Sequence, residues 1–450
     1  MKLSEISRTL REIRVTPVKT LGQNFLHDHN LARWIVQQAA LSAADFVVEI
    51  GPGLGALTEP ALATGAQILA IEKDARLVSF LREKFSERRL EIVHGDALEF
   101  DVRRLFPCGP VKLLGNLPYY AATPILLRFL EKTTPITSAM LMLQMEVATR
   151  LSASPRSKQY GILSLIVQSQ CRVEFLRAIP ASVFVPEPDV ESALVRLTPR
   201  APEELPDHDL EILRVLVRHG FSQRRKQVGK LLKEFFPDWP SAAAEIGAPM
   251  QARAEELSLE QWIKLANSVR PPSAPGAGTD PAELFAVVDE NDLVIGSAPR
   301  AKVHGNNLRH RAVHLFIFNR AGELLLQKRS RWKDRHPNVW DSSAAGHMNA
   351  GEEYDQTAAR ELQEELGIAT GLTRVAKISA SARTGEEFIW LYRGEYDGPL
   401  QTSSAEIDAV QFFPLALIAD WLQKRPGDFA PGFIECWQTF RSARNAGPNE

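Results

Sequence analysis

The sequence predicts two unrelated domains, the first a doubly wound α/β fold built on a mostly parallel sheet. Three observations carry this. A chain of 450 residues exceeds the usual size of one domain, about 150 residues. Up to residue 270, short β-rich runs alternate with helical patterns, the signature of βαβ units. Residues 271–281 (PPSAPGAGTDP) then replace every periodic apolar pattern with Pro, Gly, Ala and Ser, the composition of a linker. The expected organisation is a first domain over 1–270, a linker over 271–281 and a second domain over 282–450.

Composition narrows the class. Hydrophobic residues are 44% and charged residues 24%, which excludes disordered, collagen-like and disulfide-scaffold chains. No run approaches the roughly 18–20 apolar residues of a membrane span, and the first residues lack an apolar signal core. Cys108, Cys171 and Cys436 are far apart and read as free thiols of a reducing compartment. A cytoplasmic location and no membrane partner are expected. Before residue 271 there are 34 Lys+Arg against 31 Asp+Glu, and after residue 270 there are 19 against 24. Neither half is a polycation, so any nucleic-acid surface must be a local patch.

The strands of the first domain are expected at Phe46–Ile50, Gln67–Glu72, Leu90–His94, Val111–Gly115 and Ala139–Gln144. Ligands of such sheets lie at the carboxyl ends of the strands. The first strand runs into Glu49-Ile50-Gly51-Pro52-Gly53-Leu54-Gly55, where glycines allow a tight turn and close approach of a ligand; alone, such a loop also fits a simple turn. Glu72 ends the second strand about 20 residues on, the position of a ribose-binding carboxylate or of an exposed strand end. Asp96 follows the third strand, as an acceptor for an adenine amine or as a turn cap.

The fourth strand ends in Gly115-Asn116-Leu117-Pro118-Tyr119-Tyr120. The exocyclic amine of adenine is a poor nucleophile because its lone pair is delocalised into the ring. An Asn oxygen and a carbonyl held by a following Pro can both accept its N–H groups and draw the nitrogen toward a tetrahedral, attacking geometry, while an adjacent Tyr stacks on the base. Hydride transfer needs none of this.

With these residues in place, positions 15–270 resemble the small-subunit ribosomal RNA adenine dimethyltransferases. The matching pieces are Gly22-Gln23-Asn24-Phe25-Leu26, Glu49–Gly55, Glu72, Asp96, Asn116–Tyr119, Tyr160-Gly161, Phe184, Pro186, Pro188, Ser192–Leu197 and Phe221–Lys226. The resemblance implies a Rossmann-like methyltransferase core over about 15–200 and a helical RNA-binding subdomain over about 201–270. It further implies S-adenosylmethionine as methyl donor, held by Asn24, Leu26, Gly51, Glu72, Asp96 and Asn116, with methyl transfer at Asn116, Leu117, Pro118 and Tyr119. The implied substrate is a pair of adjacent adenosines in the 3′-terminal hairpin loop of 16S RNA in the small ribosomal subunit. Loop bases can be splayed out and stacked, which assigns Phe184 to RNA. Arg224, Arg225 and Lys226, on an expected helix after Phe221, either hold RNA phosphates or form a solvated charge run. Met145, Arg156, Glu187 and Asp189 depart from the family pattern, Arg156 standing where Gly is expected; these bear on substrate contacts, not on the donor pocket.

After the linker, Gly346, Glu352, Arg360, Glu361, Leu362, Glu364, Glu365, Gly367 and Ile368 fill all nine specified positions of a Nudix box. The resemblance implies an α/β/α Nudix domain. Glu361, Glu364 and Glu365 fall at i, i+3 and i+4 of a helix, so three carboxylates share one side and call for Mg²⁺ or Mn²⁺ that bridges to a diphosphate. A nucleoside-diphosphate-linked small molecule is the implied substrate. The flanks resemble the isopentenyl-diphosphate isomerase-like branch, which contains isomerases and hydrolases. Ala345 stands where the isomerases carry a catalytic Cys, which disfavours isomerisation. His304, His310 and His347 with Glu387 either echo that branch's second metal site or are core and surface residues. Lys328, Arg329, Arg331, Lys333 and Arg335 either grip phosphates or are solvated. An alternative to a bifunctional enzyme also stands: a ribosome-assembly factor with a ligand-sensing, non-hydrolytic Nudix module.

Overall fold

The computed structural model describes residues 3–17, 23–86, 89–131, 133–271, 280–403 and 405–445. Gly22 and residues 272–279 of the expected linker lie outside them. The chain divides into two compact units, Met1–Pro271 and Pro272–Glu450.

The first unit is built on a seven-stranded sheet: β1 (Phe46–Ile50), β2 (Gln67–Glu72), β3 (Leu90–His94), β4 (Val111–Asn116), β5 (Ile136–Gln144), β6 (Cys171–Ile179) and β7 (Ser192–Pro199). Their order is β3-β2-β1-β4-β5-β7-β6. The first five are parallel and β7 runs antiparallel to both β5 and β6. Both faces are covered, because Val48, Ile50 and Leu113 join one apolar cluster while Val47, Ile68 and Leu114 join another. Two-sided burial is why these strands read as near-continuous apolar runs.

Register then places the functional residues. Ile50 is paired with Ile71 on one side and Gly115 on the other, and Glu72 with His94. The loop at Gly51, the carboxylate of Glu72, Asp96 two residues past β3 and Asn116 therefore emerge side by side, next to where the strand order reverses between β1 and β4.

Helices Leu210–Gly220, Trp239–Glu245 and Leu259–Val269 form a small subdomain with its own core around Leu216, Trp239 and Trp262. Tyr160 anchors it to the sheet domain, its hydroxyl donating to the carbonyl of Leu257 at 3.1 Å. Arg156 holds a left-handed φ of 70°. The backbone there keeps a conformation that glycine adopts without cost, which accounts for the glycine expected at this position.

In the second unit a nine-stranded mixed sheet contains His310–Phe318 paired in parallel with Glu387–Glu395. Alternation along His310–Phe318 sends Val313, Leu315 and Ile317 toward Ala358 and Leu362 of helix Tyr354–Leu366. Phe316 and Phe318 go the other way, onto Phe433 and Phe440 of helix Pro431–Asn445. The result is an α/β/α sandwich. Gly367, at φ 67°, ends the helix in a left-handed cap.

Candidate functional site

In the first unit, the loop after β1 turns through three left-handed glycines, Gly51, Gly53 and Gly55 at φ 66°, 58° and 83°. A side chain at Gly55 would also come within 2.8 Å of the Phe85 ring, so the loop can take this path only with glycine there. Glu72 braces it: Oε2 accepts the Gly53 amide at 3.1 Å and Oε1 the Asp74 amide at 2.9 Å. Burial pushes the Glu72 carboxyl up.

Asp96 accepts the Leu98 amide on Oδ1 at 2.9 Å and the Lys73 ammonium on Oδ2 at 2.7 Å. Its burial raises the carboxyl, but these bonds hold it below the usual range. Asn116 donates through Nδ2 to the carbonyl of Asn24 at 3.0 Å, which turns its amide oxygen away from that carbonyl. Leu117 is buried, and its N–H donates to Met142 O at 3.1 Å. Pro118 follows without an N–H, and its carbonyl accepts from Ala121 at 3.0 Å. The Tyr119 hydroxyl is bonded to Ser192 Oγ at 2.9 Å, fixing the ring. Leu26 is buried in the core.

Glu49, under the loop, is fully buried. Desolvation, with Glu72 nearby, pushes its carboxyl up to about 7. The folded state thus holds a proton that the unfolded chain has lost, between the ordinary value of 4.5 and about 7. Stability falls as pH rises through that window, by about 3 kcal/mol in all. Glu49→Gln is expected to remove this fall, as read by urea unfolding at pH 5 and pH 8.

The residues expected to meet RNA differ in exposure. Phe184 is 2% exposed and registers against Leu26 in a short ribbon. Arg224, Arg225 and Lys226 lie in turns between helices Leu210–Gly220 and Val228–Leu231 rather than on a helix. Arg224 is committed within the fold, donating to the carbonyls of Lys158 at 2.7 Å and Tyr160 at 3.1 Å and pairing with Glu255 at 3.3 Å. Arg225 and Lys226 are exposed.

In the second unit the Nudix box is held by Arg360. It bridges both oxygens of Glu352 at 2.9 and 3.0 Å, Glu361 at 2.8 Å, Glu364 at 2.9 Å and the carbonyl of His347 at 3.1 Å. Gly346 is required because a Cβ there would fall 2.0 Å from the Glu361 carboxyl carbon. The three box carboxylates are not equivalent. Glu361 and Glu365 are buried, whereas the Glu364 side chain is 57% exposed at the rim. Glu365 Oε2 accepts from the Ala345 amide and from Gln327, both at 3.1 Å.

Burial pushes Glu361 up to about 7, against the pull of Arg360. Burial also raises Glu365, which Lys333 opposes and Glu406 reinforces through a hydrogen bond. Glu406 is bonded in turn to Lys333. Sequence reading missed Glu406, which precedes strand Ile407–Phe413 at no fixed spacing from the box. An oxygen-only set of desolvated carboxyls fits a hard divalent cation.

On the opposite face of strand Ala344–His347, the side chains of His304, His310 and His347 converge, their candidate ligand nitrogens within 4.8 Å of one another. Glu387 Oε1 is 3.1 Å from His347 Nε2 and 3.5 Å from His310 Nε2. His310 Nδ1 bonds the carbonyl of Leu308 at 2.8 Å, which leaves the Nε2 lone pair toward the cluster. Burial lowers His347 to about 3, keeping it neutral, and His304 Nε2 has no hydrogen-bond partner. Three imidazoles with one carboxylate suit a cation that accepts nitrogen ligands. This cluster opens on a cleft of about 800 Å³ that Arg300, Arg329, Arg335, Arg383 and Ala345 also line. Of the five cations expected to grip phosphates, Arg329 and Arg335 reach the cleft, Lys333 is engaged by Glu406 and Arg331 lies over Trp332.

Comparison with known proteins agrees with both halves. Residues 17–270 match the family Ribosomal RNA adenine dimethylase, and residues 308–433 match the NUDIX domain. Ribosomal RNA small subunit methyltransferase A of Prosthecochloris aestuarii is 42% identical over 253 residues, 56% of this chain and 94% of that protein. Its namesake in Alcanivorax borkumensis is 40% identical over 258 residues, 57% and 91% of the two chains. Among solved structures, the 23S rRNA methyltransferase ErmE is 28% identical with a TM-score of 0.47, covering 55% of this chain and 99% of that one. The chain belongs to the ribosomal RNA adenine dimethylase family and carries a NUDIX domain behind its methyltransferase domain.

Proposed function

We propose that the chain transfers methyl groups from S-adenosylmethionine to N6 of two neighbouring adenosines in the 3′-terminal hairpin loop of 16S RNA, two methyls per base. The observation that carries this is Asn116, held by the Asn24 carbonyl at the strand ends where Gly51, Glu72 and Asp96 emerge side by side. The donor supplies a sulfonium methyl as electrophile. Gly51 and its loop give close backbone approach, Glu72 accepts from ribose hydroxyls, Asp96 accepts from the donor's adenine, and Asn24 and Leu26 border the site. The Asn116 oxygen and the Leu117 carbonyl accept the N6 hydrogens of the target base, so its lone pair points at the incoming carbon. Tyr119, fixed by Ser192, stacks on that base. The contribution is mainly alignment of two reactants. Arg225 and Lys226 hold RNA phosphates.

The NUDIX domain is proposed to hydrolyse a nucleoside-diphosphate-linked compound. Mg²⁺ or Mn²⁺ at Glu361, Glu364 and Glu365 would polarise the diphosphate and activate water. Glu406 adds a fourth carboxylate, and His304, His310, His347 and Glu387 would hold a second cation. Ala345 in place of a catalytic Cys favours hydrolysis over isomerisation, and the arginines of the cleft suit phosphates.

Undermethylated small subunits, incubated with labelled donor and mapped at nucleotide resolution, are expected to carry two dimethylated neighbours in that loop. Label elsewhere, or none, overturns the reading. A parallel Mg²⁺-dependent screen of nucleoside diphosphate compounds is expected to release phosphate-bearing products.

A further inference from the structure

At the mouth of the donor cleft, side chains from three strand ends form a chain of contacts. Asp96 has committed Oδ1 to the Leu98 amide at 2.9 Å, and Oδ2 accepts from the Lys73 ammonium at 2.7 Å. Lys73 directly follows Glu72 at the end of β2, and its carbonyl is bonded to His94 Nε2 at 3.2 Å, so its backbone is held while its side chain remains 55% exposed. The same ammonium lies 6.0 Å from the ring centroid of Tyr120. Tyr120 follows the Asn116–Tyr119 segment and is 51% exposed. One cation therefore touches both the carboxylate assigned to the donor's adenine and an exposed ring beside the place of the reacting base.

We propose that Lys73 couples donor binding to RNA binding: the adenine amine of the donor displaces the Lys73 ammonium from Asp96 Oδ2, and the freed cation takes a phosphate of the RNA strand that passes over Tyr120. This rests on the assignment of Asp96 to the donor. With Oδ1 accepting the Leu98 amide, the arriving amine shares Oδ2 with the ammonium and loosens its hold. With its ammonium side half-exposed, the Lys–Asp pair contributes a factor of about two to five to an equilibrium constant, so it exchanges readily. A lysine released from Asp96 beside an exposed aromatic ring is free to pair with an RNA phosphate. The coupling is reciprocal, and each ligand tightens the other by the same factor.

The test titrates the full-length protein with undermethylated small subunits over a range of salt, with and without S-adenosylhomocysteine, the demethylated product of the donor. For the unmodified chain, subunits are expected to bind about two- to fivefold tighter with the product present, with a log–log salt slope steeper by about one phosphate contact. In Lys73→Met both differences vanish, and product affinity without RNA rises about two- to fivefold. Asp96→Ala is expected to lose product binding; unchanged binding in that variant overturns the assignment underneath. Lost binding in Asp96→Ala together with undiminished coupling in Lys73→Met overturns the role of Lys73 alone.

Discussion

Asn116→Ala is expected to lower methyl transfer by about 10²–10³-fold, the cost of removing one preorganised polar contact to a reacting group. The side chain sits at the end of β4, and its Nδ2 is tied to the Asn24 carbonyl at 3.0 Å. Its oxygen is therefore oriented before substrate arrives, at no reorganisation cost during reaction. Alanine removes the acceptor and lets the Asn24 segment loosen. Single-turnover transfer to undermethylated subunits reads the loss, and calorimetry with S-adenosylhomocysteine is expected to show a much smaller change in donor affinity. Subunit binding should persist, which separates catalysis from a purely assembly-related role. A rate within threefold of the unmodified chain would remove Asn116 from the reaction.

The second large effect is expected at Glu365. Glu365→Gln should lower diphosphate hydrolysis by about 10²-fold or more and weaken Mn²⁺ binding, with methyl transfer untouched. Glu365 Oε2 accepts the Ala345 and Gln327 N–H groups at 3.1 Å each. A glutamine there loses the charge, and when its amide nitrogen faces these donors a buried mismatch of about 1–3 kcal/mol follows. Glu364, exposed at the rim and paired with Arg360, should give a smaller loss on the same substitution. Both are read by Mn²⁺ titration with electron paramagnetic resonance and by hydrolysis kinetics. Equal losses at the two positions would contradict the ranking, and unchanged hydrolysis in both would contradict the metal assignment.

The parallel part of the first sheet was legible because burial on both faces leaves apolar runs such as Ile68–Ile71 and Ala139–Leu143 with few competing patterns. The last two strands were not. Cys171–Ile179 has Arg172, Glu174 and Arg177 along an exposed edge, and its period is broken by a register shift between Phe175 and Arg177. The helix expected at Arg224–Lys226 failed for a tertiary reason, since the Arg224 guanidinium is drawn to the Lys158 and Tyr160 carbonyls. Site residues were readable where spacing is set by local geometry, as in the helical offsets of Glu361 and Glu365. Glu406 and Lys73 owe their positions to loops and strand ends far apart in sequence, and only the fold brings them to Glu365 and Asp96. Phe184 is the reverse case: its place in a motif was visible, but not its pairing with Leu26, which buries it.

The central claim is that a methyl donor and a splayed adenine meet at the carboxyl ends of β1, β2, β3 and β4. A crystal structure of the protein soaked with S-adenosylhomocysteine tests it most directly. The predicted result is ligand density bordered by Gly51, Glu72, Asp96 and Asn116, with the ligand's sulfur facing the Asn116 side chain. Density lodged anywhere else, or a ligand whose sulfur is walled off from Asn116 by Tyr119, would contradict it.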